Sequence, residues 1–241
     1  MSAGDPAERL IVALDVPDLE GAKRLVGTLV PSVRYFKVGK ELFTAAGPEV
    51  IGAIRSAGAD VFLDLKFHDI PNTVGAACRA AVRLGVSMLN VHTLGGRAMM
   101  EAAASAVREE ASALRVPQPL LLGVTVLTSL SGPELEEVGI PGPLDRAVER
   151  LARLASSSGL GGVVASPLEI SLVRRAVFGT FTIVTPGVRP RWAAAGDQKR
   201  VATPAEAVRS GADHLVVGRP ITQDPDPAEA ARRVLDEIGS A

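Results

Sequence analysis

Residues 64–73 read "DLKFHDIPNT", placing Asp64, Lys66, His68 and Asp69 within six positions of a largely hydrophobic stretch. On an extended strand successive side chains alternate, so Asp64 and Lys66 project to one side together with Phe62. Leu63 and Leu65 face the other way and suit a helix-covered surface, which turns the charged pair toward an open end of the fold. An ammonium held among carboxylates can stabilise a growing negative charge and then protonate it. A structural ion pair closing the end of a sheet is the plainer alternative. Lysine usage weighs against it. The chain has only five lysines (23, 37, 40, 66 and 199) among 26 basic residues, yet Lys37 and Lys66 both end apolar runs. Lysine can donate a proton where arginine in practice cannot.

These side chains need elements to hold them. Eight short apolar runs recur: "LIVALD" (10–15), "VRYFKV" (33–38), "VFLDLK" (61–66), "VSMLNVH" (86–92), "LLLGVTVL" (120–127), "GVVAS" (162–166), "FTIVT" (181–185) and "HLVVG" (214–218). Each is followed by a longer, helix-compatible segment. Near-continuous Val, Ile and Leu runs mark parallel strands covered on both faces. Glycines in "SAGAD" (56–60), "RLGVS" (83–87), "SSGLGG" (157–162) and "RSGAD" (209–213) fall where helices would end. Eight βα units across 241 residues, with no composition break, predict one α/β domain over residues 1–241 that closes as a (β/α)8 TIM barrel. An open doubly wound sheet is the alternative.

Bulk properties narrow the function. The formal net charge is −1, so bulk electrostatics favours neither nucleic acid nor an anionic membrane as partner. No apolar run approaches the ~18 residues of a membrane span. The opening "MSAGDPAERL" is polar and unlike a secretory leader, and the lone Cys78 suits a reducing compartment. A cytoplasmic protein is expected. The three histidines (68, 92 and 214) lack metal-ligand spacing, so no metal is expected.

In such barrels chemistry gathers at the C-terminal ends of the strands. The run ends here are Asp15, Lys37, Asp64 with Lys66, His92 with Thr93, Thr128, Ser166, Thr185, and Gly218 with Arg219. Asp69 precedes a helix predicted to start near Pro71, whose first turn it would favour. "TPGVR" (185–189) and "VVGRP" (216–220) follow the seventh and eighth runs, the usual phosphate position in these barrels. Gly218 would admit an anion to backbone N–H groups and Arg219 could grip it bidentately. The irregular "GVRPRWAAAGDQKR" (187–200) has the length of a binding loop.

These residues resemble the orotidine 5'-monophosphate decarboxylase family along nearly the whole chain. "IVALDV" (11–16), "FKVGKELF" (36–43), "FLDLKFHDIPNTV" (62–74), "VTVLTS" (124–129), "VTPGVRP" (184–190), "GDQKR" (196–200) and "VVGRPI" (216–221) match in order. The resemblance implies conversion of orotidine 5'-monophosphate (OMP) to UMP and CO2 in pyrimidine biosynthesis, without cofactor or metal. It implies that Lys37, Asp64, Lys66 and Asp69 form a tetrad of alternating charge, with Lys66 the proton donor. It further implies a homodimer with shared sites, in which Asp69 and Thr73 reach the neighbouring subunit's pocket. Asp15 and Lys37 would hold ribose hydroxyls, and Thr128 would meet the pyrimidine edge. Arg189, Gln198, Gly218 and Arg219 would bind phosphate. The rival from the same barrel superfamily is a magnesium-dependent decarboxylase or aldolase of keto-sugar phosphates, in which an acidic residue is expected at the position of Lys37. A non-catalytic nucleotide-binding barrel would have lost polar residues that are all present here.

Overall fold

Each of the eight apolar runs forms a parallel strand. The computed structural model describes residues 5–193 and 202–241. The strands are β1 (Leu10–Ala13), β2 (Tyr35–Gly39), β3 (Asp60–Phe67), β4 (Met88–His92), β5 (Leu120–Val124), β6 (Gly162–Val164), β7 (Thr182–Thr185) and β8 (His214–Val217). They pair in sequence order, and β8 pairs with β1 through Leu10–Leu215, Ile11–Val216 and Val12–Val217. The sheet is closed, which excludes the open doubly wound alternative.

Closure splits the apolar residues into two sets by strand parity. Ile11, Ala13, Phe62, Met88, Leu122, Val124, Val164, Val184 and Val216 fill the barrel interior. Their neighbours Val12, Leu63, Leu89, Val163, Ile183 and Leu215 face the helical ring. This double burial is why the strands read as unbroken apolar runs. At the N-terminal end Arg34 pairs with Glu8 (2.5 Å) and Asp60 (2.7 Å), and Asp60 accepts Ser87 Oγ at 2.5 Å. Tyr35 and His214 meet edge to face at 5.6 Å. The polar network thus closes one end, leaving the other for chemistry.

Strand β3 departs from simple geometry where it matters. Leu63 pairs with Leu89 and Phe67 with Val91, so four residues of β3 advance against two of β4. The surplus is a bulge, and Lys66 within it has a φ of +51°. For a residue other than glycine that left-handed conformation costs on the order of 1–3 kcal/mol and persists only where surroundings enforce it. The helix Pro71–Arg83 follows, with proline in its first turn as predicted, and packs on the long helix Gly96–Leu114. Beyond β7, Val188 bridges to Ala202, and the Arg189 N–H donates to the Ala202 carbonyl at 2.9 Å.

Candidate active site

The C-terminal rim assembles its charges from three strands. Asp15 stands just beyond β1, Lys37 on β2, and Asp64 and Lys66 on β3. Lys37 Nζ lies 3.2 Å from Asp15 Oδ1 and 3.5 Å from Asp64 Oδ2, while Lys66 Nζ lies 2.5 Å from Asp64 Oδ1. The result is a row of alternating charge, Asp15–Lys37–Asp64–Lys66. Lys37 and Asp64 side chains are each only 12% exposed, so their interaction is weakly screened, whereas Asp15 is 53% exposed. Burial alone would raise the Asp64 pKa. The Lys37 and Lys66 ammonium groups, with hydrogen bonds from Lys66 and Asn90, more than offset it and hold the carboxyl below its ordinary value. Gly39 leaves room for this row, since a Cβ there would stand 3.2 Å from Lys37 Nζ.

Asn90, fully buried on the inward face of β4, is the polar partner that sequence reasoning missed. Its Nδ2 donates to Asp64 Oδ1 at 2.6 Å, and its Oδ1 accepts the Lys66 N–H at 2.8 Å. A signal was available in "SMLNVH": an amide two positions from Met88 and two from His92 shares their inward parity. His92 ends the same strand, its ring 5.4 Å from that of His68. Burial first, then His68 and the positive charges of Lys66 and Lys40, pull the His92 pKa down to about 4.

Two adjacent hollows adjoin the charged row. One is lined by Asp15, Lys37, Gly187, Arg189, Gly218 and Arg219, a lining suited to an anion. The other runs over Lys37, Asp64, Lys66, Leu127 and Thr128 with an apolar floor of Phe62, Val124, Val164 and Val216. Lys37, Pro186 and Val216 border both. A ligand with a charged end and a flat, less polar end would span them.

Not every expected residue joins this cluster. Asp69 and Thr73 are exposed at the outer rim; Asp69 Oδ1 accepts the Ile70 N–H at 2.6 Å and is not ion-paired with the row above. Gln198 lies outside the described residues. Thr93, Ser166 and Thr185, at or just past the strand ends, are fully buried and so are not part of an open polar rim. Thr93, for example, donates to the Val124 carbonyl at 2.8 Å and ties β4 to β5. Among the described residues no three His, Cys, Asp or Glu side chains gather as metal ligands, and no helix is long and apolar enough to cross a membrane.

Comparison with known proteins agrees with this geometry. Residues 8–234 match the model of the "Orotidine 5'-phosphate decarboxylase / HUMPS family". A Moorella thermoacetica protein named orotidine 5'-phosphate decarboxylase is 58% identical over 232 residues, covering 96% of this chain and 92% of its own. One of the same name from Syntrophotalea carbinolica is 56% identical, covering 97% and 96%. The crystal structure of orotidine 5'-phosphate decarboxylase from Lactobacillus acidophilus superposes with a TM-score of 0.84 at 37% identity, covering 96% of this chain and 99% of its own. Matched from end to end by model, sequence and fold, the chain belongs to the orotidine 5'-phosphate decarboxylase / HUMPS family.

Proposed function

We propose that this protein decarboxylates OMP to UMP, with Lys66 as the proton donor. The observation that carries this reading is the row Asp15–Lys37–Asp64–Lys66, set between an anion-suited hollow and an apolar floor. Breaking the bond from C6 of the pyrimidine to its carboxylate releases CO2 and leaves an electron pair in the ring plane, where the π system cannot delocalise it. The Lys66 ammonium stabilises that pair and transfers a proton to C6, forming UMP and neutral lysine. Asp64 fixes Lys66 and its negative charge faces the departing carboxylate. Lys37 with Asp15 holds the ribose hydroxyls, and Thr128 meets the base. Arg189, Gln198, Gly218 and Arg219 hold the phosphate, whose binding energy orders the site.

The family description spans two names, so membership alone does not choose the reaction. The named relatives at 58% and 56% identity support the nucleotide reading. So does Lys37, which occupies a position where a magnesium-dependent sugar-phosphate enzyme would need a carboxylate. The active form is a cytoplasmic homodimer in which Asp69 and Thr73 complete the partner's pocket; their exposure beside Ile70, itself 66% exposed, supports this placement. The chemistry asks for no cofactor and no metal.

The test is direct. Purified protein incubated with OMP should lose the substrate's ultraviolet absorbance and yield UMP, with full rate after exhaustive chelation. Lys66→Ala should abolish nearly all turnover while its circular dichroism matches the parent. Substantial residual turnover in that variant defeats the Lys66 assignment, and a loss on chelation that magnesium restores points to the sugar-phosphate rival.

A further inference from the structure

Two buried hydroxyls in this barrel serve its walls. Thr93 and Thr125 donate to backbone carbonyls of the next strand, Val124 at 2.8 Å and Val164 at 3.2 Å. Asn90 does not. Both of its hydrogen bonds end on β3, one on the Asp64 carboxylate and one on the Lys66 backbone. The amide orientation is dictated by its partners, because a backbone N–H only donates and an ionised carboxylate only accepts. The Lys66 N–H lies in the bulge, where the ladder between β3 and β4 shifts register. The Asn90 carbonyl takes that donor, at a residue whose φ is +51°. On the other side, Asn90 Nδ2 and Lys66 Nζ converge on the same oxygen, Asp64 Oδ1, leaving Oδ2 toward Lys37. One amide therefore fixes the rotation of the carboxylate and the backbone from which the ammonium extends.

We propose that Asn90 is a positioning residue for Lys66, holding the ammonium at its reactive location through both the bulge and Asp64. The inference rests on the decarboxylase reading. It touches no part of the phosphate hollow, so its loss should lower turnover far more than nucleotide affinity. Misplacing a reacting group by ~1 Å costs about 100-fold in rate.

Asn90→Asp is the discriminating variant, since it keeps shape and the acceptor for the Lys66 N–H but replaces the donor facing Asp64. Burial and the adjacent Asp64 charge both raise the pKa of the introduced acid. Protonated, it donates to Asp64 and restores the arrangement; ionised, it repels it. The variant should therefore turn over OMP about 100-fold more slowly than the parent at the alkaline end of the pH profile, where the introduced acid is ionised. It should recover relative to the parent as the pH falls. Asn90→Ala should be slow at every pH. UMP affinity by calorimetry should stay near that of the parent in both. Parent-like turnover of Asn90→Ala, or of Asn90→Asp across the whole pH range, overturns the proposal. So does UMP affinity that falls in step with turnover, or a folded Asn90→Asp without recovery in acid. If circular dichroism shows Asn90→Asp unfolded, Asn90→Ser replaces it, and must lose turnover while binding UMP. Parallel assay of the parent separates the two levels. A parent without OMP turnover sinks the decarboxylase reading, whereas an active parent with unaffected variants sinks only the role of Asn90.

Discussion

His92 shows how one residue at the rim couples chemistry to acid tolerance. Its ring lies beside that of His68 and feels the charges of Lys66, Lys40 and Asp64, and burial is the largest influence on it. A neutral imidazole avoids adding another cation beside Lys66. In the unfolded chain it takes a proton near its ordinary value of 6.5, but in the fold only near 4. The unfolded state therefore binds more protons between these values. Stability from this group is complete above 6.5 and is lost as pH falls toward 4. Partial exposure reduces the effect to on the order of 1 kcal/mol. His92→Asn should thus blunt the loss of thermal stability on acidification through that window by about 2–4 °C. His214, likewise lowered by burial, should preserve part of the slope. Melting curves of parent and variant across the window provide the check, and parallel curves would show that His92 is not held neutral. The sequence marks His92 as a run end, but its depressed pKa reflects burial first and then charges on other elements, which no single strand reveals.

At the scale of elements, the strands were legible because covering both faces of a closed parallel sheet demands Val, Ile and Leu on both parities. All eight runs are strands, although "LLLGVTVL" continues past the end of β5 at Val124. Alternation correctly turned Asp64 toward the site and Leu63 away from it. For Lys66 the result is right but the route is not a regular strand, because the bulge depends on pairing with β4. Asn90 was missed for the same reason, as its partners lie on another strand. The hydroxyls of Thr93, Ser166 and Thr185 looked like rim groups because run ends do not reveal how deeply a barrel wall buries them. Close approach of strands is equally silent in sequence. A Cβ on Gly162 of β6 would sit 2.3 Å from the Thr182 carbonyl oxygen of β7 and 2.9 Å from Leu122 of β5. Paired backbone where the β6–β7 ladder starts has little room to yield, so Gly162→Ala should destabilise by about 1–3 kcal/mol. A Cβ on Gly52, in the helix Glu49–Ser56, would meet nothing within 4 Å. Gly52→Ala should be neutral or stabilising by up to about 1 kcal/mol. Denaturant melts of the pair test whether strand proximity, rather than glycine content, governs tolerance; equal effects would refute it.

For the whole molecule, the open matter is how many chains make one site. The row from Asp15 to Lys66 lies within a single barrel, yet Asp69, on the segment joining β3 to the helix Pro71–Arg83, and Thr73, in that helix's first turn, are exposed. If that segment completes a neighbour's pocket, Lys66→Ala and Asp69→Ala homodimers should each be nearly inactive for different reasons. In a mixed dimer one pocket receives both lesions and the other receives neither, a pairing that two-fold symmetry makes unavoidable. Unfolding and refolding an equal mixture should place about half the chains in mixed dimers and restore roughly one pocket in four by the same symmetry. Mixing the folded variants without exchange should restore nothing, which controls for contaminating parent enzyme. Mass labelling measures exchange independently of activity. Restored turnover in proportion to mixed dimers would establish that Asp69 acts across the interface. Complete exchange with flat activity would mean that the exposed rim serves only its own barrel, and that the carboxylate opposite Asp64 must be sought within one chain.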